Sequence, residues 1–166
     1  YYAVRISKRG KVLNQVALQL GYHTHVRWVV SADTWDHSVW ILEEKAGRLW
    51  RIDQNARVVV KKQDKKLRGG FFVSAVPTRP GGVWIGGWTK GALRLDHQGV
   101  HRHTFHRRVL HQERLRATRD GGVWFHGVQN LGNYRVYHHL VRSSATGAAL
   151  VQRKSFKSNQ HGHVVG

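Results

Sequence analysis

Short runs in which apolar and polar residues alternate, such as Leu49-Trp50-Arg51-Ile52-Asp53 and Leu93-Arg94-Leu95-Asp96, recur along the chain between turn-forming residues. A period of two sends successive side chains to opposite faces of a sheet, so these runs predict strands half-buried on one side. Nothing predicts a long helix. Val12 to Gly21 comes nearest, because Val12, Val16 and Leu20 are spaced by fours, as are Leu13 and Ala17. The same residues fit a strand, a turn and a strand, and the repetition elsewhere favours that reading.

The pattern repeats. Ser38-Val39-Trp40, Gly82-Val83-Trp84 and Gly122-Val123-Trp124 put tryptophans 44 and 40 residues apart, a period typical of four-stranded repeat units. Upstream of each tryptophan lies a recurring stretch (Val29 to Ala32, Phe72 to Ala75, Arg114 to Ala117) and then a polar turn. Downstream a glycine (Gly47, Gly91, Gly132) marks a hairpin, since glycine takes positive φ without steric cost. A strand centred on an arginine follows (Leu49 to Asp53, Ala92 to Asp96, Asn133 to Tyr137), and a last strand is expected at Arg57 to Val60, Val100 to Phe105 and Leu140 to Arg142. Ala3 to Ser7 matches the arginine strand, and Gly10, like Gly99, stands five residues beyond its arginine. The arginines of the repeat are therefore read as Arg5, Arg51, Arg94 and Arg135.

These units predict an all-β fold of β-propeller blades, four antiparallel strands each, about three and a half blades in all. The division is a closing half-blade with the first strand of the next (1–28), blades at 29–70, 71–112 and 113–146, and a tail or opening of a further blade at 147–166. Asp120-Gly121-Gly122-Val123-Trp124-Phe125-His126-Gly127 and Pro80-Gly81-Gly82-Val83-Trp84-Ile85-Gly86-Gly87, with Leu93-Arg94-Leu95-Asp96, resemble blades of the two-component-regulator propeller repeats. They are also similar to blades of streptogramin lyase and of tectonin-type lectins. The first copy departs, with Asp36-His37-Ser38 in place of Asp-Gly-Gly. The regulator resemblance implies a sensing region in the periplasm or outside the cell.

Charge adds a constraint that the repeat does not. Lys and Arg number 28 against 9 Asp and Glu, a formal net charge of +19. Such a surface attracts polyanions, whether nucleic acid, acidic polysaccharide or an acidic partner protein. There are no cysteines, which excludes disulfides and thiolate metal sites, and no methionines, so the chain is expected to be processed or part of a longer polypeptide. No apolar run is long enough to span a membrane as a helix. An open fan of blades leaves apolar faces wet, at about 25 cal/mol per Å². Other parts of the polypeptide or identical chains are expected to close the ring, and two copies would make seven blades.

Candidate chemistry follows where the copies differ. Trp40, Trp84 and Trp124 recur and read as core. Trp35, Trp50 and Trp88 do not recur in kind, and Trp35 and Trp88 sit in turns where a ring could stack on a sugar or base. The candidate ligand-binding residues are Trp35, Trp88, Lys90, Arg102, Arg107 and Arg108. Among 13 histidines, His23 and His25, and His101 and His103, each place two imidazoles on one face of a strand, a candidate divalent-metal arrangement. His161 and His163 repeat the spacing. Asp53 and Asp96, each two residues beyond an arginine, read as structural pairs holding a turn. No nucleophile elbow, phosphate loop or zinc-protease motif is present. The streptogramin-lyase resemblance implies histidines and a glutamate around magnesium, for which Glu113 beside His111 is the local pairing. The leading expectation is a non-catalytic ligand- or partner-binding propeller module without a cofactor. Its alternatives are a lectin-like or polyanion-binding propeller and a metal-dependent lyase or hydrolase.

Overall fold

The computed structural model describes residues 2–18, 27–79, 81–105, 111–130, 136–146, 149–158 and 164–165, without the side chains of 103, 105, 111–114, 128–130, 136–139, 149–158 and 164–165. Its strands form antiparallel meanders. A half-sheet pairs β1 (Tyr2–Ile6) with β2 (Val12–Ala17), so the stretch with apolar residues at fours is extended. The first full sheet runs β3 (Trp28–Ala32), β4 (Val39–Glu43), β5 (Arg48–Ile52) and β6 (Val58–Gln63). The second runs β7 (Phe72–Thr78), β8 (Gly82–Gly87), β9 (Gly91–Leu95) and β10 (His101–Phe105). The third runs β11 (His111–Ala117), β12 (Val123–Asn130), β13 (Val136–Ser143), β14 (Ala149–Ser158) and β15 (Val164–Val165).

First strands are neighbours from sheet to sheet, β3 beside β7 and β7 beside β11. Four-stranded meanders stacked through their first strands are the blades of a β-propeller, and the chain holds a half-blade and three full ones.

Strand alternation builds the interfaces between blades. In β4, Trp40 and Leu42 point to the second sheet and pack with Phe72, Val83 and Ile85, while Ile41 points back to Leu18 and Trp50. In β8, Trp84 points on to the third sheet and meets Val123 and Phe125, while Val83 and Ile85 point back. Trp40 and Trp84 are thus core, as their recurrence predicts. Close packing also fixes the glycine two residues before Trp84: a Cβ on Gly82 would lie 2.5 Å from the Leu95 carbonyl oxygen.

The third sheet departs from the expected spacing. Trp40 stands opposite Arg51 and Trp84 opposite Arg94, but Trp124 stands opposite Arg142, not Arg135. The β12–β13 hairpin is longer than its counterparts, so its arginine comes later in the chain. Residues 140–142, expected as the last strand of that unit, belong instead to β13, and Ala149–Ser158 takes the fourth position.

Candidate binding site

The turns after β1, β5 and β9 are built alike. In each, a carboxylate or hydroxyl oxygen accepts backbone N–H groups and closes the loop. Asp53 Oδ1 accepts from Asn55 N (2.8 Å) and Arg57 N (2.9 Å), and Asp96 Oδ1 from Gln98 N (2.9 Å) and Val100 N (2.9 Å). Ser7 Oγ does the same for Lys11 N in the half-sheet. The second carboxylate oxygen pairs with an arginine on the following strand, Arg57 at 2.9 Å and Arg102 at 2.7 Å. The aspartates do hold turns, but through these arginines and not through Arg51 and Arg94. The Arg57 N–H, assisted by the Arg57 guanidinium and the Asn55 N–H, holds the Asp53 carboxyl below its ordinary range. Burial works against ionisation at Asp96, and bonds from Val100 N–H, Arg102 and Gln98 N–H outweigh it, so that carboxyl is also lowered.

A third-strand arginine ties the half-sheet to the first sheet and the first sheet to the second. Arg51 lies over the Trp40 ring at 5.4 Å, donates from Nε to Ser38 Oγ (3.1 Å), pairs with Asp36, and donates from Nη1 to the His97 carbonyl of the second sheet (3.1 Å). Arg142 pairs with Asp120 at 2.7 Å. Arg5 of the half-sheet donates across to the Gln54 carbonyl of the first sheet, as Arg51 does to His97. Among the described residues, Arg5 has no carboxylate partner comparable with Asp36 or Asp120.

Between the half-sheet and the first sheet lies a cavity of about 580 Å³. Tyr2, Val4 and Val16 form one wall, Val30, Val39 and Ile41 the other, and Arg5, His37 and Asp53 stand at its polar margin. In the full blades the corresponding space is filled: Val83 and Val123, at the place of Val39, are completely buried. Val30 is 62% exposed, whereas Leu115, in register at the same place of the third sheet, is 6% exposed. The groove is a blade interface with one side incomplete. An apolar concavity bounded by a few polar groups suits a ligand or a partner segment.

The residues singled out from sequence do not gather there. Trp35 lies in the β3–β4 turn, 48% exposed, with the Arg79 guanidinium stacked 3.7 Å over its ring. Trp88 lies in the β8–β9 turn and is 46% exposed. Turns between first and second strands and turns between second and third strands sit at opposite ends of a sheet, so the two rings face different ends. Trp50 is buried against Trp28, with ring centroids 6.1 Å apart. Lys90 Nζ donates to the Lys65 and Lys66 carbonyls (3.2 and 3.0 Å), and Arg102 is engaged by Asp96. Arg107, Arg108, His23 and His25 lie outside the described residues, as does the His103 side chain. His101 has Lys66 Nζ 3.3 Å from Nδ1 and Thr104 Oγ1 2.6 Å from Nε2. Among the described residues, no group of three or more histidine, aspartate or glutamate side chains is placed to hold a metal.

No helix of the described residues is long and apolar enough to cross a membrane. No protein-family model matches the chain, and no curated protein matches it. Solved structures do. One is a protein of unknown function from Bacteroides caccae, 10% identical, with a TM-score of 0.52 over 93% of this chain and 75% of that one. Virginiamycin B lyase from Staphylococcus aureus is 13% identical with a TM-score of 0.49, over 77% of this chain and 55% of that one. A streptogramin B lyase is 15% identical with a TM-score of 0.47, over 74% and 53% respectively. The chain spans about half the length of each lyase, and the likeness to the Bacteroides protein is one of fold alone.

Proposed function

We propose that the chain is a non-catalytic binding module of the β-propeller type, and that it engages a protein partner through the apolar groove beside the half-sheet. The observation that carries this reading is the cavity of about 580 Å³, whose walls repeat a blade interface but lack a covering layer. The resemblance of its blades to regulator propellers supports a sensing assembly outside the cytoplasm as the setting. The neutral apolar dye Nile red tests the surface. It is expected to bind saturably, and Val30→Lys, at an exposed wall position, is expected to weaken binding about tenfold with the fold retained by circular dichroism, a loss of about 1.4 kcal/mol. Dye binding indifferent to Val30→Lys would remove the groove from consideration.

A second reading has its own support. Glu113 aside, every carboxylate of the chain accepts a backbone N–H: Asp33, Asp36, Glu43, Glu44, Asp53, Asp64, Asp96 and Asp120. The acids are held in turns, and after all nine are counted an excess of 19 positive charges remains. This favours a polyanion partner bearing phosphates or sulfates. A heparin fragment and a single-stranded oligonucleotide are then expected to bind with log affinity falling linearly against log salt, with a slope of roughly −0.7 per phosphate neutralised for the oligonucleotide. Affinity independent of salt contradicts it.

A further inference from the structure

The groove has an edge as well as a face. In the three full sheets the arginine strand, β5, β9 or β13, is paired on one side by the strand that bears the recurring tryptophan. In the half-sheet β1 carries Arg5 and pairs with β2 alone, so the edge on which a tryptophan strand would lie is open. Tyr2, Val4 and Ile6 stand out along β1, 65%, 47% and 58% exposed. An edge strand with free N–H and C=O groups beside an apolar wall is a template for added strands.

Two of the three full blades state what should be added; the second has Pro80 where the others have an aspartate. Arg51 uses Asp36 and the Trp40 ring, four residues apart in sequence, and Arg142 uses Asp120 with Trp124 opposite it. Arg5 makes the onward contact of this set, to Gln54, and has neither of the others among the described residues. Every described strand of the chain already has a place in a sheet, β14 and β15 included, so the described residues hold no spare hairpin.

We propose that β1 and the groove take up a partner β-hairpin, from outside these 166 residues, that completes a four-stranded blade. Its turn carries an aspartate four residues ahead of a tryptophan. The aspartate pairs with Arg5, the tryptophan ring lies under the same guanidinium, and the ring and an apolar residue two places beyond it, the counterparts of Trp40 and Leu42, fill the space against Val30 and Val39. Backbone pairing supplies affinity, and the Asp-Trp spacing supplies selectivity. The proposal rests on the groove being the binding surface, and deepens that reading by naming its occupant.

The test uses the full chain and a labelled peptide of its own third blade, residues 114–127, which holds Asp120 and Trp124 at the required spacing. Both molecules are cationic, so charge attraction alone does not bring them together. Fluorescence anisotropy is expected to show saturable one-to-one binding, weakened about tenfold by Asp120→Asn or Trp124→Ala in the peptide, or by Arg5→Ala in the protein. Amide protection along β1 is expected to rise with occupancy. Binding unaffected by Arg5→Ala, or no binding at all, overturns the hairpin, as does concentration-dependent dimerisation of the chain that competes with the peptide. If Nile red fills the groove and the peptide does not bind, the hairpin fails and the binding surface stands; if neither binds, both fail.

Discussion

Left-handed backbone marks the same place in the turns after β1, β5 and β9, at Gly10, Ala56 and Gly99, with φ of 78°, 62° and 70°. A residue with a Cβ pays about 1–2 kcal/mol for that conformation, and glycine about 0.5–1 kcal/mol for its greater freedom when unfolded. Ala56→Gly is therefore expected to stabilise the protein by about 0.5–1 kcal/mol, seen as a higher urea midpoint at unchanged slope; a lower midpoint would contradict it. His37, at 59°, occupies the place held by Gly81 and Gly121, and it can do so because only the half-sheet lies on that side. The same turns set the acid limit of stability. Asp53 and Asp96 have lowered carboxyl pKa values when folded, against an ordinary 3.8. A lowered folded value means that folding favours the ionised form: the contribution is complete above the ordinary value and is lost as pH falls through the folded one. Asp96→Asn is thus expected to lower the denaturation midpoint at pH 7 and to change it little near pH 2, where the two proteins converge. Parallel curves throughout that range would dissociate the turn from its charge.

At the scale of elements, β3 to β10 were legible because each strand lies between its own turn signals and the tryptophan fixes the face. The third blade was misread at one point. Counting by a nearly constant period selects Arg135, but hairpin length is not a property of the period, and β12 and β13 run eight residues each where β4 and β5 run five. A better signal was present: Gly10 and Gly99 follow their arginines by five residues, Gly147 follows Arg142 by five, and Leu140 stands in that place after Arg135. Trp50 could not be assigned from its own strand, since its burial depends on Trp28, two strands away in the same sheet, and on Leu18 next to the half-sheet. The groove was hidden for the same reason. Its walls come from β1 to β4, and what makes it a site is the open edge of β1, a fact of pairing and not of composition. The half-unit at the chain start was the trace it left in the sequence.

For the whole molecule, the three interfaces between blades are unequal, and that inequality sets the order in which the structure opens. Phe72, Val83, Ile85 and Leu95 join the first and second sheets with almost no exposure, and Trp84, Val123 and Phe125 join the second and third. The half-sheet is held by Leu18 and by Ala3 and Val16, which are only partly buried. Two strands alone form a marginal sheet in water, so β1 and β2 depend on that thin contact. Local opening free energy follows such differences in buried contact, from near zero at weakly packed edges to the global value in the core. Native-state hydrogen exchange is expected to show the least protection in β1 and β2 and the most in β4, β8 and β9. Val16→Ala should lower protection in the half-sheet alone, whereas Ile85→Ala, at a site 1% exposed, should cost about 2–5 kcal/mol and lower protection in the first and second sheets together. Uniform protection across β1 to β9, or a loss from Val16→Ala that spreads to β8, would mean that the half-sheet folds as one cooperative unit with the blades and that its open edge is no weak point.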